Sequence, residues 1–243
     1  MIRYDIDALL ARFDVRDEGT TALTGRLSSL LGESLLLSAL VRYLSAVEGR
    51  GVEVLGDRPH RDDSEFPDDR EGVPRDLDAW LLLEGTDLAA VECKHWTSSS
   101  PNYRSVPADG PGLEAHAQAE WEWLVCSNFS PQVMVWNKDN KVALPLKPPA
   151  SLPAASTADA RRILAVWTPV SGDGRSCMSG VTTTTVRRGE LVPVDVEVFS
   201  ASMYLRDLRA GGVMHLESDD AVMEGVLAAL RAVVEVTGFS AAG

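Results

Sequence analysis

Apolar residues recur at helical spacing in the first part of the chain. Between Thr20 and Glu48 they are three, four or seven positions apart, which predicts a helix with one apolar face. The residues in question are Leu23, Leu27, Leu30, Leu37, Val41 and Leu44. After a glycine stop, GRGVEVLG at 49–56 predicts a short strand. The segment 57–76 is dense in Asp, Arg and Pro, and it predicts an exposed loop.

Two apolar runs follow that loop and lie close together in the sequence. DLDAWLLL at 76–83 and LAAVECKHW at 88–96 each predict a strand. The short link from Glu84 to Asp87 contains a glycine and is rich in turn-forming residues. The simplest arrangement of the two strands is therefore an antiparallel hairpin.

The remainder of the chain mixes helical and strand-like patterns. The predicted elements are a helix over 113–129, a connector rich in Pro, Ala and Ser over 147–160, a buried strand over 162–170, a threonine-rich edge strand over 180–188, another strand over 192–200, and helices over 201–210 and 217–236. This order predicts a mixed α/β fold with a sheet that is antiparallel at the hairpin.

Composition narrows the class of protein. With 243 residues, of which 45% are hydrophobic, the chain can bury one substantial core, so we expect a single domain over 1–243. Its three cysteines show neither disulfide nor zinc-ligand spacing, which favours a reducing, cytoplasmic location. No apolar run approaches the roughly 20 residues that span a bilayer, and the charged N-terminal stretch does not resemble a signal peptide.

Net charge argues against loose attraction to polyanions. The chain has 23 basic and 36 acidic residues, a formal charge of −13. Such a charge opposes non-specific binding to nucleic acid and to anionic lipid, so no membrane partner is expected. It does not exclude a local basic groove or a divalent metal that bridges the protein to phosphate.

The second strand of the hairpin carries an unexpected pair of charges, Glu92 and Lys94. Side chains alternate along a strand, so both residues point to one face while Cys93 points to the other. On the preceding strand, Asp76 and Asp78 also share a face. If the hairpin sets Asp78 opposite Glu92, two carboxylates and an ammonium group converge. That alignment requires a loop of odd length or a β-bulge.

This spacing of Asp78 with Glu92-Cys93-Lys94 resembles the D…ExK signature of the PD-(D/E)xK, or restriction-endonuclease-like, nuclease superfamily. The resemblance implies a restriction-endonuclease-like core, with a mixed central sheet flanked by helices, over about 20–170. A C-terminal strand and helix extension would follow over about 171–243.

The chain departs from the superfamily pattern at the first aspartate. No proline directly precedes Asp76 or Asp78, so either could be the metal ligand; Pro74 lies two residues before Asp76. Asp78 is preferred because its separation from Glu92 better suits a tight hairpin.

The resemblance also implies a metal site built from oxygen atoms. Asp78 and Glu92 would be metal ligands, and the backbone carbonyl of Cys93 would add another oxygen. Glu33, on the first long helix, matches a glutamate that completes the acidic cluster in many members. Carboxylate and carbonyl oxygens suit a hard cation, so the expected cofactor is Mg²⁺, with Mn²⁺ as a substitute.

Two further residues would act in catalysis. Lys94 would position the attacking water, and Gln118 is the candidate for a glutamine that some members carry on the helix after this strand. The implied activity is that of a Mg²⁺-dependent endonuclease that hydrolyses phosphodiester bonds, with DNA favoured over RNA as the substrate. Restriction, defence and repair are the roles that the superfamily suggests by analogy.

Several alternatives stay open at this stage. Glu92 and Lys94 could be a simple ion pair on an exposed sheet face, which would contribute under about 1 kcal/mol. The chain could be an inactive nuclease-fold subunit that binds a protein partner or forms a homodimer. It could also be a metal-dependent phosphohydrolase that acts on small nucleotides.

Overall fold

The computed structural model describes residues 2–13, 22–62, 76–94, 106–129, 142–188 and 190–218. Its helices are α1 (Ile6–Phe13), α2 (Ala22–Ala46), α3 (Gly110–Asn128) and α4 (Ala201–Ala210). Its strands are β1 (Ile2–Asp5), β2 (Val52–Val54), β3 (Ala79–Leu83), β4 (Asp87–Lys94), β5 (Arg161–Val166), β6 (Met178–Arg187), β7 (Glu190–Ser200) and β8 (His215–Ser218). The prediction of a mixed α/β fold is confirmed.

Six of the strands form one mixed sheet in the order β2-β3-β4-β5-β7-β6. Strands β2, β3 and β4 form an antiparallel meander, as the hairpin prediction required. Strand β5 runs parallel to both β4 and β7, while β6 pairs antiparallel with β7 at the sheet edge. The carboxyl ends of β4, β5 and β7 therefore lie along the same side of the sheet.

Strand β4 is buried on both faces. Ala89, Ala90 and Val91 are fully buried, which explains why the sequence here is a continuous apolar run rather than an alternating one. Side chains from α1, α2 and α4 pack on one face of the sheet, and the end of α3 together with the segment 142–160 packs on the other.

The two ends of the described chain meet in a separate two-stranded sheet, which the sequence did not predict. Strand β1 pairs antiparallel with β8, and Tyr4 stands opposite Leu216. The helix predicted over 217–236 is wrong at its start, because residues 215–218 pair with β1 as a strand. Residues 219–236 lie outside the described part of the chain.

The C-terminal extension joins the central sheet. Strand β7 lies between β5 and β6, with Phe199 paired to Ala165. The predicted loop over 57–76 falls mostly outside the described residues; at its ends, His60 forms an isolated bridge with Asp76. Among the described helices, none combines the length and apolar character that a membrane span needs.

Candidate functional site at the end of strand β4

The hairpin loop between β3 and β4 has an odd length. Leu83 pairs with Asp87, which leaves three residues, 84–86, in the loop. Glu84 and Gly85 adopt positive φ values of 51° and 73°, a left-handed turn that brings the strands back together. The last pair of the ladder is Ala79 with Val91. Asp78 and Glu92 are the next residues beyond this pair, so the condition for their alignment is met.

Asp78 is bound directly to the backbone of β4. Its N–H donates to the carbonyl of Val91 at 3.0 Å, and its carboxylate Oδ2 accepts the N–H of Cys93 at 2.7 Å. This second bond holds the Asp78 carboxylate beside Cys93, the residue between Glu92 and Lys94. By contrast, Asp76 Oδ1 is hydrogen-bonded to His60 Nδ1 at 2.6 Å in an exposed position. The structure therefore places Asp78, rather than Asp76, at the ExK sequence.

Glu92 and Lys94 form a hydrogen-bonded ion pair whose carboxylate is buried. Lys94 Nζ donates to Glu92 Oε1. The Glu92 side chain is 0% exposed, whereas that of Lys94 is 22% exposed. The ion pair between Glu92 and Lys94 is thus present, but the expectation that it lies on an exposed sheet face is wrong, because the Glu92 carboxylate is buried. A buried carboxylate is costly unless it is paired and hydrogen-bonded.

The thiol of Cys93 lies on the opposite face of β4, within the core that α2 covers. Burial raises its pKa well above the usual range, and the negative charges of Asp78, Glu92 and Glu33 raise it further. The positive charge of Lys94 acts in the other direction. The charges of three carboxylates and one ammonium group therefore act on the Cys93 thiol, and Glu33 is one of them.

Helix α2 is fixed at this point by a tryptophan that sequence reasoning did not single out. Trp167 directly follows β5, is 1% exposed, and donates from Nε1 to the carbonyl of Gly32 at 2.9 Å. Glu33 is the next residue and is partly buried. The sequence carried a signal for this contact, because a tryptophan ends the apolar run RILAVW. When a tryptophan is buried, its indole N–H needs a hydrogen-bond acceptor.

Gln118 is not brought into this group by any described contact. It is an exposed residue of α3. Its side chain lies beside the turn at Gly174, where an added Cβ would be 3.2 Å from Gln118 Cγ. The structure thus gives Gln118 a position against a surface turn, and its predicted catalytic role stays a prediction.

The oxygen atoms at the end of β4 are of the kind that a hard cation prefers, but the described side chains there are not arranged as a ready metal-binding group. Asp78, Glu92, Glu33 and the Cys93 carbonyl offer oxygen ligands, which Mg²⁺ prefers. Asp78 Oδ2 accepts one hydrogen bond, and a carboxylate has about four lone-pair positions, so acceptor capacity is left for a cation. Within the described ranges, no three His, Cys, Asp or Glu side chains are arranged as a ready metal-binding group.

Comparisons with protein-family models, with curated proteins and with solved structures found no match to this chain. The likeness of the hairpin to a known superfamily therefore rests on the residues of this chain and on their arrangement.

Proposed function

We propose that this chain is a metal-dependent nuclease of the PD-(D/E)xK type, which hydrolyses phosphodiester bonds of DNA at the carboxyl end of β4. The observation that carries the proposal is the 2.7 Å hydrogen bond from the Cys93 N–H to the carboxylate of Asp78. It sets Asp78, the residue directly before β3, beside the Glu92–Lys94 pair, as the D…ExK pattern requires.

The order of elements supports the same proposal. A long helix, α2, precedes an antiparallel meander of β2, β3 and β4, and α3 then leads to β5, which is parallel to β4. This is the helix, meander, helix and strand order that the superfamily resemblance implies. In α/β sheets, ligands commonly bind at the carboxyl ends of parallel strands, which is where Lys94 stands.

The acidic residues are assigned to metal binding. Asp78, Glu92, Glu33 and the carbonyl of Cys93 would hold Mg²⁺, or Mn²⁺ in its place. The bound cation supplies charge that polarises a phosphoryl oxygen and acidifies a coordinated water. Because Glu92 is fully buried, its carboxylate interacts with a nearby cation more strongly than a solvated one would.

Lys94 is assigned to the attacking water. Its ammonium group is held by Glu92 Oε1 and is partly exposed, so a water or a phosphate oxygen can approach it. A compact charge with rotatable donors can hold a nucleophile and offset the negative charge that develops on phosphorus. Lysine is rare in this chain, with only four in total, at 94, 138, 141 and 147.

The net charge of −13 favours two alternatives to a DNA nuclease. One is a nuclease-fold subunit that does not cleave and instead binds a protein partner or a second copy. The other is a phosphohydrolase that acts on small nucleotides, which needs no basic surface along a duplex. Both alternatives leave the hairpin geometry unchanged. The first cleaves no substrate, and the second cleaves a small nucleotide instead of DNA.

A cleavage assay separates these functions. Purified protein is incubated with supercoiled plasmid, linear duplex, single-stranded DNA, RNA and nucleoside triphosphates, with Mg²⁺ or Mn²⁺ and with EDTA. We expect metal-dependent cleavage of DNA, and a loss of about 100-fold or more in Lys94→Ala, because a group that handles the attacking water contributes on that order.

The matched control for this assay is Lys147→Ala, which removes an exposed lysine and should cut like the wild type. Cleavage of nucleoside triphosphates alone would favour the phosphohydrolase. If wild type leaves every substrate intact, or if Lys94→Ala cuts as fast as Lys147→Ala, the proposed nuclease site is wrong.

A further inference from the structure

A concave region lies at the opposite end of β5 from Lys94. It is a cavity of about 580 Å³, lined by the segments 143–148 and 157–162 and by the hairpin of β6 and β7. Arg162, in its wall, pairs with Ala90, whereas Lys94 pairs with Val166 at the other end of the same two strands. The cavity is therefore separate from the candidate nuclease site.

The guanidinium group of Arg162 is buried, and one of its two terminal nitrogen atoms lacks a hydrogen-bond acceptor among the described residues. The residue is only 7% exposed, and it stands on the same face of β5 as the buried Leu164. Its Nη2 donates to the carbonyl of Thr157 at 2.9 Å. Its Nη1 is buried and has no hydrogen-bond partner among the residues that the structure describes. A buried charged donor without an acceptor is costly, so an acceptor that reached Nη1 from the cavity would stabilise the folded chain.

The charges around Arg162 add to that cost. Burial, and after it the positive charge of Arg187, lowers the pKa of Arg162 to about 10. Arg187 also lines the cavity. Two guanidinium groups that act on each other would both be stabilised by one anion placed between them.

Two of the four acidic residues that line the cavity are hydrogen-bonded to other side chains. Glu197 accepts hydrogen bonds from Arg161 at 2.7 and 3.0 Å, and Arg161 is further held by Glu48. Asp195 Oδ1 accepts from the hydroxyl of Thr182 at 2.7 Å. Asp62 and Asp159 also line the cavity. The position that favours an anion is therefore the corner at Arg162 Nη1 and Arg187, rather than the cavity as a whole.

We propose that this cavity binds the oxyanion group of a small molecule, a phosphate or a carboxylate, with Arg162 Nη1 as the direct donor and Arg187 as the second positive charge. A guanidinium matches the geometry of both groups through paired N–H donors. A volume of about 580 Å³ lies within the range of small-molecule sites, so the cavity has room for more than the anion itself. The site is independent of the proposed nuclease activity.

Calorimetric titration of the full chain tests this proposal. The probes are inorganic phosphate, a nucleoside monophosphate and citrate, each at matched ionic strength. We expect binding of at least one probe, and an affinity at least about 10-fold lower in Arg162→Met, which removes a charge-assisted hydrogen bond. Tighter binding of the monophosphate than of phosphate would show that the rest of the cavity contacts the ligand, and tighter binding of citrate would identify a carboxylate site.

Two further variants keep the test decisive. Arg187→Gln changes an exposed side chain and should weaken the same probe, even if Arg162→Met were to fold poorly. Arg175→Gln is the matched control, because this exposed arginine pairs with Glu114 and is not part of the cavity wall. The proposal is overturned if no probe binds the wild type, or if Arg187→Gln and Arg175→Gln both bind as the wild type does.

Discussion

At the scale of single residues, the decisive feature is a carboxylate in a fully buried strand position. The sequence predicted that Glu92 and Lys94 share a face and that apolar neighbours surround them, because strand alternation follows directly from the residue order. It could not predict that Asp78 would use its side chain to accept the N–H of Cys93, since that contact depends on the hairpin register. For the same reason the choice between Asp76 and Asp78 needed the structure.

Two buried thiols lead to a prediction for alkaline pH. Burial, followed by the charge of Asp207, raises the pKa of Cys177 from 9.0 to about 11, and burial raises that of Cys93 well above its usual range. Both thiols keep their protons in the folded chain at a pH where the unfolded chain loses them. The stability that this provides is complete below about pH 9 and is lost as the pH rises towards about 11.

Urea denaturation across this pH range measures the effect. We expect the free energy of unfolding to fall between about pH 9 and about pH 11, and to fall less steeply in Cys177→Ala. Cys126→Ala removes an exposed thiol and should leave the slope unchanged. Equal slopes in all three proteins would show that the Cys177 thiol does not control the alkaline stability.

At the scale of elements, the hairpin of β3 and β4 carries most of the site. Its three-residue loop sets the register, and a loop shorter by one residue would move Asp78 and Glu92 to opposite faces. From the sequence, the link from Glu84 to Asp87 could be seen, but not whether Asp87 belonged to the loop or to β4. That distinction rests on backbone pairing, which residue types alone do not determine.

Two glycines offer a controlled test of this turn. Gly85 has a φ of +73°, and Gly180 lies in β6; an added Cβ at either position would meet no atom within 4 Å. Only the backbone conformation therefore distinguishes them. We expect Gly85→Ala to lower the free energy of unfolding by about 1 kcal/mol, because a left-handed residue is strained once it carries a Cβ.

Gly180→Ala is expected to be neutral or slightly stabilising, since alanine loses less entropy on folding. Thermal or chemical denaturation of both variants gives the comparison. Equal effects of the two substitutions would contradict the role given to the turn at Gly85.

Helix and strand positions were predictable where the pattern was local, and not where it depended on distant pairing. The run of leucines predicted α2, and the threonine-rich run was correctly placed at a sheet edge as β6. Strands β1 and β8 were missed because each is short and has its only described strand partner at the other end of the chain. Their alternation is too brief to be distinguished from coil or helix without that partner.

At the scale of the whole molecule, the carboxyl end of β4 and the amino end of β5 carry different charged groups. Acids and one lysine gather at the carboxyl end of β4. At the amino end of β5 lies Arg162, whose buried Nη1 has no hydrogen-bond partner among the described residues. A chain with a net charge of −13 needs a cation to approach phosphate at the acidic end. A metal site is therefore the claim on which the proposed function depends.

Binding of Mn²⁺ tests that claim most directly, because it does not depend on which substrate is cut. Calorimetry or electron paramagnetic resonance is carried out on wild type, Asp78→Asn and Asp87→Asn. Asparagine at 78 retains an oxygen that can accept the Cys93 N–H, so the hairpin is kept while the ligand charge is removed. Asp87 is an exposed acid in the same hairpin, at its loop end.

We predict that one Mn²⁺ binds per wild-type chain, that Asp87→Asn binds with the same affinity, and that Asp78→Asn binds at least about 10-fold more weakly, as expected when a ligand loses its charge. Equal affinity in Asp78→Asn and Asp87→Asn, or no binding to wild type, would contradict a metal site at the end of β4.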